Sequence, residues 1–261
     1  MEVAFREHGL VVWSGYGATV SDFDSLARSF TRDYFYGYGR APFADHPAVT
    51  TVNETQLALE PHCDNGIRPE AMRPEITWFW CERPASAGGE TTFHDGIAVW
   101  ERLSATTRAR FLDQPVAFLS RVAEPAWRAL GHVSVESFRA FLASIGARAC
   151  GLHADGTVDV EVQSSAVRTP RWSTSPAFVS SLLLAGSRGF EAMRAVFADG
   201  TSIPEATITE LRAALAAELE TVGWGAGDVG MLDNTRFLHG RPGFADPHRR
   251  VYLIQTLHAT L

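Results

Sequence analysis

A histidine and an aspartate stand one spacer apart at His62-Cys63-Asp64. In an extended chain side chains alternate between faces, so His62 and Asp64 point one way and Cys63 the other. An imidazole beside a carboxylate suits a divalent metal of borderline hardness. With one more distant histidine, the pair makes the 2-His-1-carboxylate triad of non-haem Fe(II) oxygenases. The best third ligand is His239, in the segment GMLDNTRFLHGR at residues 230–241. It stands so far along the chain that a separate strand must deliver it.

Spacing alone carries little weight. With nine histidines and thirty acidic residues in 261, about one His-x-Asp/Glu arises by chance, and a second stands at His153-Ala154-Asp155. That one runs into Gly156 ahead of the alternating stretch VDVEV, and Asp-Gly in this setting predicts a hairpin turn. His62 and Asp64 instead follow an apolar run and precede Asn65-Gly66. They sit at a strand end, where functional side chains are commonly presented.

Positioning such a site takes strands from distant parts of the chain. Residues 9–13 (GLVVW) predict a strand and residues 21–30 a helix capped by Ser21. Residues 34–47 predict an irregular connection, and residues 50–60 one strand leading into the ligand pair. The aromatic run EITWFWC at 75–81 predicts a strand buried on both faces. Gly88-Gly89-Glu90 turns the chain into a further strand at 91–94. Residues 177–184 fit strand or helix. Residues 207–222 predict a helix with Thr207 and Glu210 as a capping box and Ile208, Leu211, Leu215, Leu219 and Val222 in one stripe. Closing strands fall at 229–232 and 250–257. Short strands interrupted by helices predict a mainly β fold with helical insertions, a double-sheet jelly roll, as a single domain over residues 1–261.

A net charge of −7 argues against nucleic acid, which needs clustered basic charge. A small-molecule substrate is the expectation. Three scattered cysteines, Cys63, Cys81 and Cys150, make no disulfide framework and fit a reducing cytoplasm. No apolar stretch reaches membrane-spanning length and no signal-peptide core opens the chain. No membrane association is expected, and the oligomeric state is not legible.

Beyond His239, Arg249 and Arg250 open the last apolar strand. Alternation lets only one face inward, and a buried guanidinium needs an anion, best a bidentate carboxylate. His62-x-Asp64, Gly88-Gly89-Glu90-Thr91, Asp233-Asn234-x-Arg236-x-x-His239 and Arg250 together resemble the taurine dioxygenase family of the clavaminate synthase-like superfamily, from about residue 9 to the C-terminus. The resemblance implies a double-stranded β-helix and a dioxygenase dependent on Fe(II), 2-oxoglutarate and O2, releasing succinate and CO2. It implies His62, Asp64 and His239 as iron ligands. Arg250 and Thr91 would hold the distal carboxylate of 2-oxoglutarate, leaving Arg249 exposed.

Two positions narrow the chemistry. Family members that bind a sulfonate carry an arginine four places after the 2-oxoglutarate arginine, where this chain has Ile254, so taurine is not the expected substrate. Related halogenases replace the carboxylate ligand with a small residue; Asp64 fills that place. The expected reaction is hydroxylation of an unactivated C–H bond in a small amino-acid-like or specialised-metabolite substrate, with desaturation or ring closure as alternatives. Arg68, Arg73, Arg171 and Trp172, in loops, are candidates for holding a substrate carboxylate. The rivals of another class are a zinc hydrolase, for which no general base can be named, and a non-catalytic ligand-binding jelly roll.

Overall fold

The computed structural model describes residues 1–31, 33–36, 40–52 and 55–261. Its largest sheet is six-stranded and antiparallel, in the order Leu10–Trp13, Val229–Asp233, Ile76–Arg83, Arg250–Thr256, His46–Thr51, Pro42–Phe43. A four-stranded sheet runs Leu219–Val222, Thr91–Asp95, Phe237–Arg241, Leu59–His62. A third, lateral sheet runs Arg194–Phe197, Val116–Val122, Val158–Ser164, Arg148–Leu152. The chain is mainly β, with helices between.

The aromatic strand Ile76–Arg83 explains how the layers stack. Phe79 and Cys81 point to one side and pack with Phe93, Leu232, Phe237 and Val251, joining the six-stranded sheet to the four-stranded one. Phe79 meets Phe93 edge-on at 6.0 Å. Trp78 and Trp80 point to the other side, against Phe23 and Ala27 of the helix Val20–Arg28. Both faces are buried, as a run without polar alternation requires. Asp24 of that helix reaches His46 at 2.8 Å and Arg28 at 3.0 Å, fastening the helix to the strand His46–Thr51. On the lateral sheet, Phe138 and Leu142 of the helix Val135–Ser144 cover Val158 and Val160.

Several local expectations change. The first long helix is capped by Thr19, in a capping box with Asp22, rather than by Ser21. The helix Glu205–Ala217 starts after Pro204, so Thr207 and Glu210 lie inside it. Glu210 instead accepts from the Ser104 backbone and, at 2.5 Å, from Thr107 Oγ1. Leu211 and Leu215 are buried, but the helix stops before Leu219, which opens a strand. Residues 177–184 split into a strand at Ala177–Phe178 and a 3-10 turn at Leu182–Leu184. The single strand expected over 50–60 is two, His46–Thr51 and Leu59–His62. Residues 53–54 of that stretch, and 37–39 of the expected irregular connection, lie outside the described residues. The Asp155-Gly156 hairpin forms, with Gly156 at φ 79° and Asp155 accepting from Thr157 N.

Candidate metal centre and active site

His62 ends the strand Leu59–His62 and is the direct cross-strand partner of His239 in Phe237–Arg241. Their ring centroids lie 4.4 Å apart. His62 Nδ1 is 2.9 Å from Glu60 O, which fixes the proton there and leaves Nε2 as the lone pair offered to the site. Phe79 packs edge-on against the His239 ring at 5.3 Å and sets its plane.

Asp64 lies in the turn just past the strand. Its backbone N–H donates to Asn234 Oδ1 at 2.7 Å, and Asn234 Nδ2 donates to Asp64 O and to Pro74 O. Thr77 Oγ1 donates to Asp64 Oδ2 at 2.7 Å, so Oδ1 faces His239 Nε2 at 4.0 Å. Cys63 turns the opposite way, its thiol donating to Val179 O. The chain then reverses through Asn65 at φ 56° and Gly66, where a Cβ would stand 2.2 Å from Ser181 Oγ. Only glycine lets this turn close.

One ligand atom from each of His62, Asp64 and His239 lies within 4.8 Å of the other two, and all three residues are buried. Three atoms sharing one ion at about 2.1 Å stand roughly 3.0–3.6 Å from one another, so the ligand atoms would draw together by on the order of 1 Å to hold it. Burial holds both imidazoles below the ordinary histidine range, His239 to about 3. Burial alone would raise Asp64, but the surrounding positive charge and the Thr77 hydrogen bond outweigh it and hold it at about 2. Two neutral imidazoles and a carboxylate are the forms that ligate a metal. His239 Nδ1 is buried with no hydrogen-bond partner among the described residues. A hydrolytic centre would need a general base as well, and among the described residues His62, Asp64 and His239 are the only His, Asp, Glu or Cys side chains lining the cavity.

The three residues line a cavity of about 60 Å³. Thr91 and Arg249 line it too. Thr91 Oγ1 accepts from Trp224 Nε1 at 2.8 Å, leaving its own hydroxyl proton to donate elsewhere. Arg249 Nε donates to Gly89 O at 2.8 Å. A Cβ on Gly89, which sits at φ +77°, would stand 2.9 Å from Arg249 Cδ, so the paired glycines make room for the guanidinium.

The model of the taurine catabolism dioxygenase TauD, TfdA family matches residues 1–257. The chain belongs to this family. It is a dioxygenase that uses iron and 2-oxoglutarate. Among solved structures it is similar to AAD-2 in complex with Mn(II) and N-oxalylglycine, with TM-score 0.63, 17% identity, and 99% of this chain and 85% of that one covered. It is also similar to PvcB from Pseudomonas aeruginosa, with TM-score 0.57, 16% identity, and 98% and 78% covered. At such identities the likeness is one of fold. No curated protein matches the chain.

Against this TauD-family frame, the arginine expectation needs correction. Arg249 is the inward residue and Arg250 is exposed, its Nη1 donating to the carbonyls of Pro247 and Arg249. Arg249 shares a face with Val251 and Leu253, which line the cavity with it. In the ladder Arg250 pairs with Arg83 and Val251 with Cys81, so the extra residue, Glu82, lies in the partner strand and Arg249 keeps the alternation of its own strand.

The four loop residues go elsewhere. None of Arg68, Arg73, Arg171 and Trp172 lines the cavity. Arg73 is buried and donates to Gly66 O and Val179 O, holding the turn after Asp64 in place. Arg171 pairs with Glu75, which also accepts from Ala259 N, and Trp172 packs edge-on against Phe5 at 5.2 Å. Arg68 is half-buried, its backbone N–H bonded to Asn65 O. Sequence reading missed Arg40 and Arg241, which line the cavity; a lone arginine after a glycine-tyrosine stretch and one after His239-Gly240 carry no pattern. It also missed the work of Asn234 and Thr77. The doublet Asp233-Asn234 was visible, but not the residue it grips.

Proposed function

We propose that this enzyme hydroxylates an unactivated C–H bond of a small amino-acid-like or specialised-metabolite substrate, using iron held by His62, Asp64 and His239. The carrying observation is the convergence of two imidazoles and a carboxylate in a cavity that a guanidinium and a hydroxyl, those of Arg249 and Thr91, also line. Iron with 2-oxoglutarate and O2 supplies the oxidising power, and succinate and CO2 leave.

Each residue then has defined work. The two neutral imidazoles and the carboxylate would hold the iron and leave it able to take small-molecule ligands. Arg249 and Thr91 hold the distal carboxylate of 2-oxoglutarate, the guanidinium as a charged fork and the threonine as a neutral donor. Trp224 keeps Thr91 oriented for this. Val52, Leu59, Val251 and Leu253 give the cavity apolar walls that exclude water from the reacting centre. Moving the 2-oxoglutarate arginine to Arg249 moves the sulfonate position from Ile254 to Leu253, again apolar, which supports a substrate other than a sulfonate.

The two facing sheets support a double-stranded β-helix, with the whole chain as one catalytic domain. No described helix is long and apolar enough to cross a membrane. The unpaired thiols of Cys63, Cys81 and Cys150 support a cytoplasmic setting.

The test is turnover of 2-oxoglutarate to succinate in the presence of Fe(II), compared between wild type, Asp64→Ala and His239→Ala. Succinate from wild type and none from either variant supports the assignment; equal background from all three overturns it. Oxygen from 18O2 in the product separates hydroxylation from desaturation, which leaves no label.

A further inference from the structure

One aromatic ring serves two of the arginines that line the cavity. The Phe244 ring centroid lies 4.7 Å from the guanidinium carbon of Arg241 and 5.4 Å from that of Arg249, both within the range of a cation–π contact. Phe244 is not among the residues lining the cavity; it shares a second, smaller hollow with both arginines.

The ring is itself held in place. Phe244 N–H donates to Gln56 O at 3.1 Å, and Gln56 Nε2 donates to Ala245 O at 3.0 Å. Asp246 accepts from the backbone N–H groups of Ser86 and His248, each at 2.8 Å. A Cβ on Gly88 would meet Phe244 Cβ at 3.5 Å, and one on Gly89 would stand 2.9 Å from Arg249 Cδ. The paired glycines therefore seat the ring and the guanidinium on consecutive residues.

Arg249 has a use for such a neighbour. Its Nε donates to Gly89 O at 2.8 Å, which pins the fork at one corner and leaves its tilt to be set by something else. A protein carboxylate would set the tilt, but it would occupy N–H groups and offset the charge that an incoming anion needs. An aromatic face restrains a guanidinium through the ring quadrupole and uses none of its N–H donors. Arg241, whose Nη2 donates to the carbonyls of Thr55 and Leu57, lies over the same ring and helps to fix it.

We propose that Phe244 is a positioning residue for 2-oxoglutarate: its ring holds the Arg249 guanidinium in the orientation that receives the distal carboxylate, while leaving the N–H fork free for it. This rests on the function proposed above, in which Arg249 binds 2-oxoglutarate, and adds the residue that orients it.

The experiment replaces Phe244 by phenylalanines bearing one, two and three ring fluorines, which drain charge from the ring face with little change of shape. Binding of 2-oxoglutarate to Co(II)-loaded protein is read by calorimetry, without turnover. Affinity should fall stepwise with each fluorine, by about three- to tenfold over the series, and by about tenfold in Phe244→Leu. Phe244→Tyr should bind as wild type does. Co(II) affinity and melting temperature should stay level across the fluorinated series, which a merely structural ring would equally allow; the graded loss of 2-oxoglutarate is what it would not produce. In an Arg249→Met background the fluorines should have no further effect. A flat fluorine series, or steps that persist undiminished in Arg249→Met, overturns the proposal. If Arg249→Met itself binds 2-oxoglutarate as wild type does, the assignment of Arg249 fails and the proposal falls with it; a weakened Arg249→Met beside a flat series removes the role of the ring alone.

Discussion

Asn234 clamps the peptide of Asp64 from both sides, accepting from its N–H at 2.7 Å and donating to its carbonyl at 3.2 Å. The metal carboxylate sits in a turn rather than on a strand, so this amide supplies the rigidity that a ladder would otherwise give. Truncation leaves buried backbone groups of Asp64 and Pro74 unpaired, at about 1–3 kcal/mol. Asn234→Ala is expected to lower the melting temperature and weaken Co(II) binding by about 10- to 100-fold. Calorimetry of both measures this; unchanged affinity would mean that the turn holds Asp64 unaided.

The two adjacent arginines should behave oppositely. Arg249→Met is expected to weaken 2-oxoglutarate by about 100-fold, the scale of losing a buried charge-assisted pair. Arg250→Met, exposed and bonded only to nearby carbonyls, should stay within about twofold. Titration of 2-oxoglutarate into metal-loaded protein compares them, and the reverse order would restore Arg250 to the role the sequence suggested.

What the sequence revealed and what it hid follow from how each residue is placed. That His62, Asp64 and His239 come together was legible from residue type and the order of the motifs, whereas Thr91 was offered by the family resemblance alone. The choice between Arg249 and Arg250 was not legible, because alternation says that one of the pair faces inward but not which; that Val251 and Leu253 lie on the cavity wall decides it for Arg249. Arg73 and Arg171 read as loop cations, yet they are structural, since nothing local tells that Val179 and Glu75 await them. Thr207 and Glu210 match a capping box, but Pro204 starts the helix earlier and Ser104 and Thr107 claim the carboxylate.

Metal affinity should be almost flat between pH 8 and 6. Burial lowers both imidazoles, His239 to about 3, and Asp64 is held at about 2, so protonation competes with the metal less than at exposed histidines. Two ordinary histidines titrating near 6.5 would cost more than about tenfold over that interval. Co(II) titrations at several pH values test this, and a steep loss below pH 7 would place the imidazoles in a wetter site.

Asp233 gives an opposite kind of pH dependence, in stability. Burial raises its carboxyl to about 6, although it accepts from the N–H and hydroxyl of Thr235. The folded value lies above the unfolded one, so its contribution is complete below about pH 4 and is lost as pH rises through 6. The swing is on the order of 2–3 kcal/mol. Asp233→Asn should remove that part of the slope, seen as a wild-type-minus-variant stability difference that falls between pH 4 and 7; a constant difference would show that Asp233 titrates normally.

The most direct measurement is the visible spectrum of anaerobic protein titrated with Fe(II) and then 2-oxoglutarate. The account predicts a weak charge-transfer band saturating at about one equivalent of each, present in wild type and Arg250→Met and absent in His239→Ala. No band in wild type, or an undiminished band without His239, would contradict an iron centre built from these three side chains.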